Sequence, residues 1–308
     1  MSETLYPLIS ILIPVYNRVN LIGPSIESAL AQTYSNFEII IVDNASTDGT
    51  WEKCRTYAQN NSRIRIFQNH TNIGPVHNWQ RCIKEAKGDF GKILFSDDLI
   101  YPEFLEKTIS LIKDPQVGLV FTTTQIGRGI ASIKLVTKNA YPWQESSGKY
   151  SSQDFIKDML FSKMNLVSPG AALFRINDLY NNLITQIPSP SFNDFADHGA
   201  GPDLLLYLLT AITYQKIAFI NEPLCFFRVH EDSFTKKYHK ELASRYFQAK
   251  IWFALNYQPS TPLESLLFRG WCSACKQSKK YLSFKKFCAR YGVNQISLPN
   301  AVLHSLRS

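Results

Sequence analysis

Residues 37–60 read FEIIIVDNASTDGTWEKCRTYAQN. Ile39, Ile40, Ile41 and Val42 form an unbroken apolar run of strand length. A carboxylate, Asp43, and a polar turn stop it. Ser46 and Asp48 are capping residues ahead of a second pattern that is helical from about Thr50. A strand passing directly into a helix is half of a β-α-β unit, and the flanking sequence repeats it. Upstream, LISILIPVY (8–16) is an apolar strand, and NRVNLIGPSIESALAQTY (17–34) has Ile26 and Leu30 at helical spacing with Pro24 in its opening turn. Downstream, RIRIFQN (63–69) alternates as a strand, VHNWQRCIKEAKG (76–88) is helical and closes on Gly88, and KILFSDD (92–98) is a strand again. YPEFLEKTISLIKD (101–114) and VGLVFTTTQ (117–125) add a further helix and a fifth strand. This alternation predicts an α/β fold with a mainly parallel sheet covered by helices on both faces. Such sheets bind ligands at the carboxyl ends of their strands, where Tyr16, Asp43, Asp97 and Asp98 fall.

The chain of 308 residues is long enough for one large α/β domain with an appendage. Its composition, 45% hydrophobic and 19% charged, is that of an ordinary globular protein. The opening MSETLYPLISILIPVYN carries an acid and two prolines and does not read as a leader. The longest dense apolar run, LLLYLLTAI (204–212), is too short to span a bilayer. With six cysteines, too few for a disulfide scaffold, a cytoplasmic location is expected. GRG (127–129) and GAG (199–201) do not follow strands as a dinucleotide-binding turn requires, and no phosphate-loop GK[ST] is present. A dehydrogenase or nucleoside triphosphatase is therefore not expected.

SILIPVYNR, FEIIIVDNASTDGT, NIGPVHNWQRCIKEAKGDF and ILFSDD, in this order and with these gaps, resemble the successive signatures of family 2 glycosyltransferases with the GT-A nucleotide-sugar fold. The resemblance is strong over residues 8–125 and continues more weakly in residues 201–237. It implies a single Rossmann-like GT-A domain over residues 1–238, with a mainly parallel mixed sheet flanked by helices. Residues 1–125 form its nucleotide-sugar half and 126–238 its acceptor half, and 239–308 are a helical, basic C-terminal extension. The implied activity is transfer of a sugar from a nucleotide-diphosphate sugar, expected to be a UDP-sugar, to an acceptor hydroxyl. Inversion is expected, in the building of a surface polysaccharide, lipopolysaccharide or other glycan. The acceptor would be a glycan or a lipid-linked acceptor.

The site residues follow from the same resemblance. Asp43 would accept the imide N–H of the base in a charge-assisted hydrogen bond, walled by Pro14, Tyr16 and Asn17. Ser46, Asp48, Gly74 and Asn78 would complete the donor pocket. Asp98 would be the direct ligand of a divalent Mg or Mn ion and Asp97 would meet the ribose or orient the metal shell, because charge builds on a diphosphate as it leaves. Asp203, in GAGPDLLLYLL, would be the general base, with Asp194 and Asp197 in reserve. Arg228 and His230 would close over the diphosphate. Two positions depart from the family pattern. Phe95 stands where an aspartate is common and Pro202 where a glutamate is common. They motivate the rival reading of a non-catalytic nucleotide-sugar-binding or scaffold protein. Plainer roles also remain open: a capped helix start for 43–49, a polar strand exit for Asp97 and Asp98, and an N-cap for Asp203.

Charge gathers in the tail. Residues 240–308 hold eleven Lys and Arg against two Glu, in a chain whose formal net charge is +8. There KQSKKYLSFKKFCARYGV (276–293) reads as one continuous helix. Tyr281, Phe284, Cys288 and Tyr291 share one face, opposite Lys276, Lys279, Lys286 and Arg290. That helix either lies on an anionic membrane surface or packs its rings on the catalytic domain. On it Cys288 points almost opposite Cys272, against a zinc set drawn from CSAC (272–275), Cys288 and His304. No nucleic-acid module is recognisable, so none is expected as a partner.

Overall fold

In the computed structural model, residues 6–130, 133–161, 168–187, 195–231, 239–258, 262–277 and 283–294 are described. The first part alternates as the sequence predicts: β1 (Ile9–Val15), α1 (Ile22–Leu30), β2 (Phe37–Asp43), α2 (Thr50–Asn60), β3 (Ile64–Gln68), α3 (Pro75–Glu85) and β4 (Phe90–Ile93). Next come β5 (Leu99–Ile100), α4 (Phe104–Ile112), β6 (Val117–Ile130), β7 (Ile133–Ala140), β8 (Gly148–Ser151) and α5 (Ser152–Phe161). The remainder holds β9 (Ala172–Arg175), α6 (Ile176–Asn182), α7 (Pro202–Thr213), β10 (Lys216–Arg228), α8 (His239–Tyr257), α9 (Leu263–Gln277) and α10 (Phe284–Ala289).

The strands form one sheet in the order β3-β2-β1-β4-β9-β6-β10-β5, with β7 on β6 and β8 on β10 beside that path. β1 is parallel to β2 and β4, and β2 to β3, as short helical crossovers require. β9 is antiparallel to both β4 and β6, while β10 returns parallel to β6. The sheet is mixed for that reason.

Strand side chains alternate between faces, so each apolar run supplies two cores. Ile9, Ile11, Ile13, Ile39 and Ile41 face Ile22, Ile26 and Ala29 of α1 and Phe104, Leu105 and Ile109 of α4. Leu12, Ile40 and Val42 face Val76, Trp79 and Ile83 of α3 in a core shared with α5 and α7. A Cβ on Gly91 would stand 2.4 Å from Leu179 Cδ1, so any larger residue on β4 would have to displace the Leu179 side chain where α6 packs on the strand.

The C-terminal helices belong to that second core. Ala249, Ile251, Phe253 and Ala254 of α8, Leu266 and Leu267 of α9, and Phe284, Phe287 and Cys288 of α10 are buried in it. The expected continuous helix over 276–293 is corrected here: Ser283 has extended backbone (φ −64°, ψ 145°) and its hydroxyl accepts the Lys286 N–H, opening a new helix. The aromatic face of α10 is taken up by protein. Tyr281, Lys279 and His304 lie outside the described residues, as does Asp194. Among the described residues no helix is long and apolar enough to cross a membrane.

Candidate active site

The loops leaving β1 and β2 are laced together. Asn17, in the left-handed region at φ 50°, gives its N–H to Ser46 Oγ (2.9 Å) and accepts the Thr47 N–H at Oδ1 (2.9 Å). The Val19 N–H reaches Asp48 Oδ2 at 3.1 Å, and Asp48 Oδ1 accepts the Thr50 N–H at 3.0 Å. Burial pushes the Asp48 carboxyl up, but the Thr50 hydroxyl, which also donates to Oδ1, together with these N–H groups outweighs it and leaves it below its ordinary value. Ser46, Asp48 and Asn17 thus shape the loop. Pro14 is buried in β1 opposite Val42, leaving Tyr16, 42% exposed, as the ring at that strand end.

Asp43, at the last position of β2, is fully buried. Its Oδ2 accepts the Ser46 N–H (3.0 Å) and the Gln68 side-chain N–H (3.1 Å). Its Oδ1 is buried with no hydrogen-bond partner. An orphaned buried carboxylate oxygen costs a fold about 1–3 kcal/mol or more, which a ligand N–H would relieve. Behind it the sequence concealed a network of amides: Asn69 donates to both Asn44 Oδ1 (3.0 Å) and Asn78 Oδ1 (2.9 Å), and Asn78 donates to the Val42 carbonyl (3.0 Å). Asn44 also takes the Ile73 N–H, fixing the approach to Gly74, which at φ 85° opens α3. Asn78 is therefore a strut between β2 and that approach.

Asp97 and Asp98 sit on the turn after β4. The Ser25 hydroxyl of α1 lies 3.0 Å from the Ser96 carbonyl and 2.7 Å from the Asp98 carbonyl. β5 pairs with Cys225 and Phe226 of β10, bringing the Arg228 N–H to Asp98 Oδ1 at 3.1 Å. The Arg228 side chain holds the backbone, donating to the carbonyls of Asp97 and Leu21. Its Nη1 is buried without a partner, a donor left over from that clamp. His230 Nε2 is 2.9 Å from Asp97 Oδ2.

The two carboxylates separate electrostatically. Burial pushes Asp97 up, but the His230 hydrogen bond and the Arg18 charge hold it below the usual carboxylate range. Burial and the Asp97 charge drive Asp98 well above it. Paired carboxylates are oxygen donors of the kind a hard divalent ion such as Mg or Mn takes, and such an ion needs few protein ligands because phosphate and water complete its shell. Among the described residues no group of three or more His, Cys, Asp and Glu is placed to hold a metal ion, so protein ligation here would rest on the carboxylates alone.

Asp203 lies in the first turn of α7, whose cap is Gly201 at φ 107°. It is not the N-cap that one reading of the sequence allowed. Its Oδ1 accepts the N–H groups of Gly201 (2.8 Å) and Leu204 (2.6 Å), and Tyr246 donates to Oδ2 at 2.8 Å. Burial pushes its carboxyl up to about 6. Burial, and to a lesser degree the charges of Asp98 and Asp203, push the phenol of Tyr141 up; Tyr141 itself stands in the left-handed region at φ 64°. Asp197 is exposed. Phe95 packs on Trp79, ring centroids 5.1 Å apart, so an apolar contact occupies the position where the family often has an acid.

The sequence at residues 10–181, more than half of the chain, matches the model of Glycosyl transferase family 2, and the chain belongs to that family. It is 26% identical to glycosyltransferase GlyG of Streptococcus pneumoniae over 235 residues, 74% of this chain and 71% of GlyG. Over 106 residues it is 37% identical to an uncharacterized glycosyltransferase of Haemophilus influenzae, covering 34% of this chain and 42% of that protein. Over 142 residues it is 34% identical to chondroitin synthase of Pasteurella multocida, 46% of this chain and 14% of the synthase. The chain thus spans less than half of the last two relatives. Among solved structures, residues 1–349 of Staphylococcus aureus TarS in complex with UDP-GlcNAc superpose with a TM-score of 0.63 at 18% identity, over 88% of this chain and 73% of that one. The mannosyltransferase PcManGT of Pyrobaculum calidifontis, in complex with GDP-Man and Mn2+, gives 0.58 at 18% identity, over 99% and 80%. The fold is that of the GT-A glycosyltransferases.

Proposed function

We propose that this protein transfers a sugar from a nucleotide-diphosphate sugar to an acceptor hydroxyl by direct displacement with inversion, in the synthesis of a surface polysaccharide or related glycan. One observation carries the reading. Asp43, with its orphaned oxygen, ends β2 and the Asp97–Asp98 pair follows the carboxyl end of β4, with β1 between the two strands. Two strand spacings are about 10 Å, a distance a nucleotide can cross with its base at Asp43 and its diphosphate at Asp97 and Asp98. UDP-GlcNAc in TarS and GDP-Man in PcManGT support this donor class, and a UDP-sugar is the reading we favour.

Asp98 would hold a divalent Mg or Mn ion, with Asp97 steadied by His230. Such an ion supplies charge neutralisation at the departing diphosphate when bound. Asp203 takes the proton of the acceptor hydroxyl as the oxygen attacks the anomeric carbon and the bond to the diphosphate oxygen breaks. The acceptor is a glycan or lipid-linked glycan, and the basic tail supports peripheral contact with an anionic membrane surface on its cytoplasmic face. The packing of Phe95 on Trp79 favours one rival, a nucleotide-sugar binder without turnover. Nucleotide release from a panel of UDP-, GDP- and dTDP-sugars with Mn2+ or EDTA separates them. Metal-dependent release is expected, and tight binding without release would support the rival.

A further inference from the structure

The C-terminal extension enters the candidate active site through one side chain. Tyr246, on α8, donates its hydroxyl proton to Asp203 Oδ2 at 2.8 Å, across 43 residues of sequence. The other oxygen is taken by two backbone N–H groups, from Gly201 and Leu204. α8 is itself fixed, since Ala249, Ile251 and Phe253 are fully buried and Lys250 Nζ donates to the Leu160 carbonyl at 3.2 Å. Tyr246 is therefore held by packing that belongs to the extension.

We propose that Tyr246 is a positioning residue for Asp203: it orients the carboxylate and favours its ionised form, which makes the C-terminal extension part of the transfer site. The proposal rests on the reading of Asp203 as the general base. An O–H donated to a carboxylate favours the charged state, opposing the burial that pushes Asp203 up. Among the described residues, the other titratable groups that interact with Asp203 are phenols that burial keeps neutral: Tyr207 on the same helix, whose hydroxyl donates to the Ser168 carbonyl, and Tyr141 from the stretch after β7. Arg245, beside Tyr246, acts instead on His198. Tyr246 is thus the side chain that donates to Asp203. Without it the carboxylate loses a donor and its pKa rises further.

The test uses the full chain, Tyr246→Phe and Asp203→Asn, with UDP-GlcNAc and GDP-Man as probes in Mn2+. Rate is followed as nucleotide release against pH. For Tyr246→Phe the expected result is a donor dissociation constant within about twofold of wild type and an acid limb displaced upward by about one pH unit, so that the loss of rate is about tenfold greater on that limb than on the plateau. An unmoved limb alongside a crippled Asp203→Asn overturns the positioning role alone. Wild-type turnover in Asp203→Asn instead overturns the base assignment. A second readout needs no turnover: thermal unfolding of wild type and Tyr246→Phe between pH 5 and 8. The gap in Tm between them should widen as pH rises through about 6, and the widening should vanish when both proteins also carry Asp203→Asn. A gap independent of pH overturns the proposal.

Discussion

His230 Nε2 lies 2.9 Å from Asp97 Oδ2, a contact between residues 133 positions apart. It ties the end of β10 to the acidic turn after β4 and, after burial has pushed Asp97 up, helps bring its carboxyl back below the usual range. His230→Ala should lower Mn2+ affinity by about 10- to 100-fold, the usual cost of losing a group that orients a metal ligand. Titration of Mn2+ in the presence of UDP measures this. An unchanged affinity would remove His230 from the site.

Asp98 should reveal a conflict between stability and function. Its folded pKa is raised by burial and by Asp97, so the fold favours the protonated acid. Stability from this group is complete below the ordinary carboxylate value and is lost as pH rises through the raised one. At pH 7.5 in EDTA, Asp98→Asn should melt no lower than wild type, while its metal-dependent nucleotide release disappears. A Tm well below that of wild type would show that the ionised carboxylate supports the fold.

For Asp43→Ala, UDP affinity should fall by about 1.5–3 kcal/mol, the worth of a hydrogen bond to a charged group. Calorimetric titration of free UDP reads this directly. The same dissociation constant in both proteins would leave the orphaned Oδ1 without a ligand.

Asp203 predicts the shape of the pH profile. With its pKa near 6, the ionised base is scarce below that pH, so wild-type turnover should rise through about pH 6 and level off above it. Asp203→Asn should bind donor normally and turn over about 10²- to 10⁴-fold more slowly, with that limb lost. Rates with no inflection near pH 6 would argue against Asp203.

The stations on β2 and β4 were legible in the sequence because local signals placed them: an apolar run ending in Asp43, and another ending in Asp97 and Asp98. What those carboxylates touch was not legible, because their partners come from far along the chain. Arg228 looked like a phosphate fork, yet its Nε and Nη2 hold the backbone carbonyls of Asp97 and Leu21. Lys92, on which the sequence offered no reading, is fully buried, with Nζ at the Gly170 carbonyl and 4.3 Å from the centre of the Phe104 ring. Periodicity carried the tail's helix through Ser283, where a serine cap ends that pattern and starts another. Nothing in the local sequence around Tyr246 connects it to Asp203. Only the packing of α8 on α7 does.

The most direct test of a metal-assisted nucleotide-sugar site is equilibrium binding of UDP-GlcNAc and GDP-Man to the wild-type chain in Mn2+, to the same chain in EDTA, and to Asp98→Asn in Mn2+. At least one donor should bind wild type with Mn2+ and lose at least about tenfold in affinity both in EDTA and in Asp98→Asn. Equal affinity in all three, or no binding of either donor, would contradict the account.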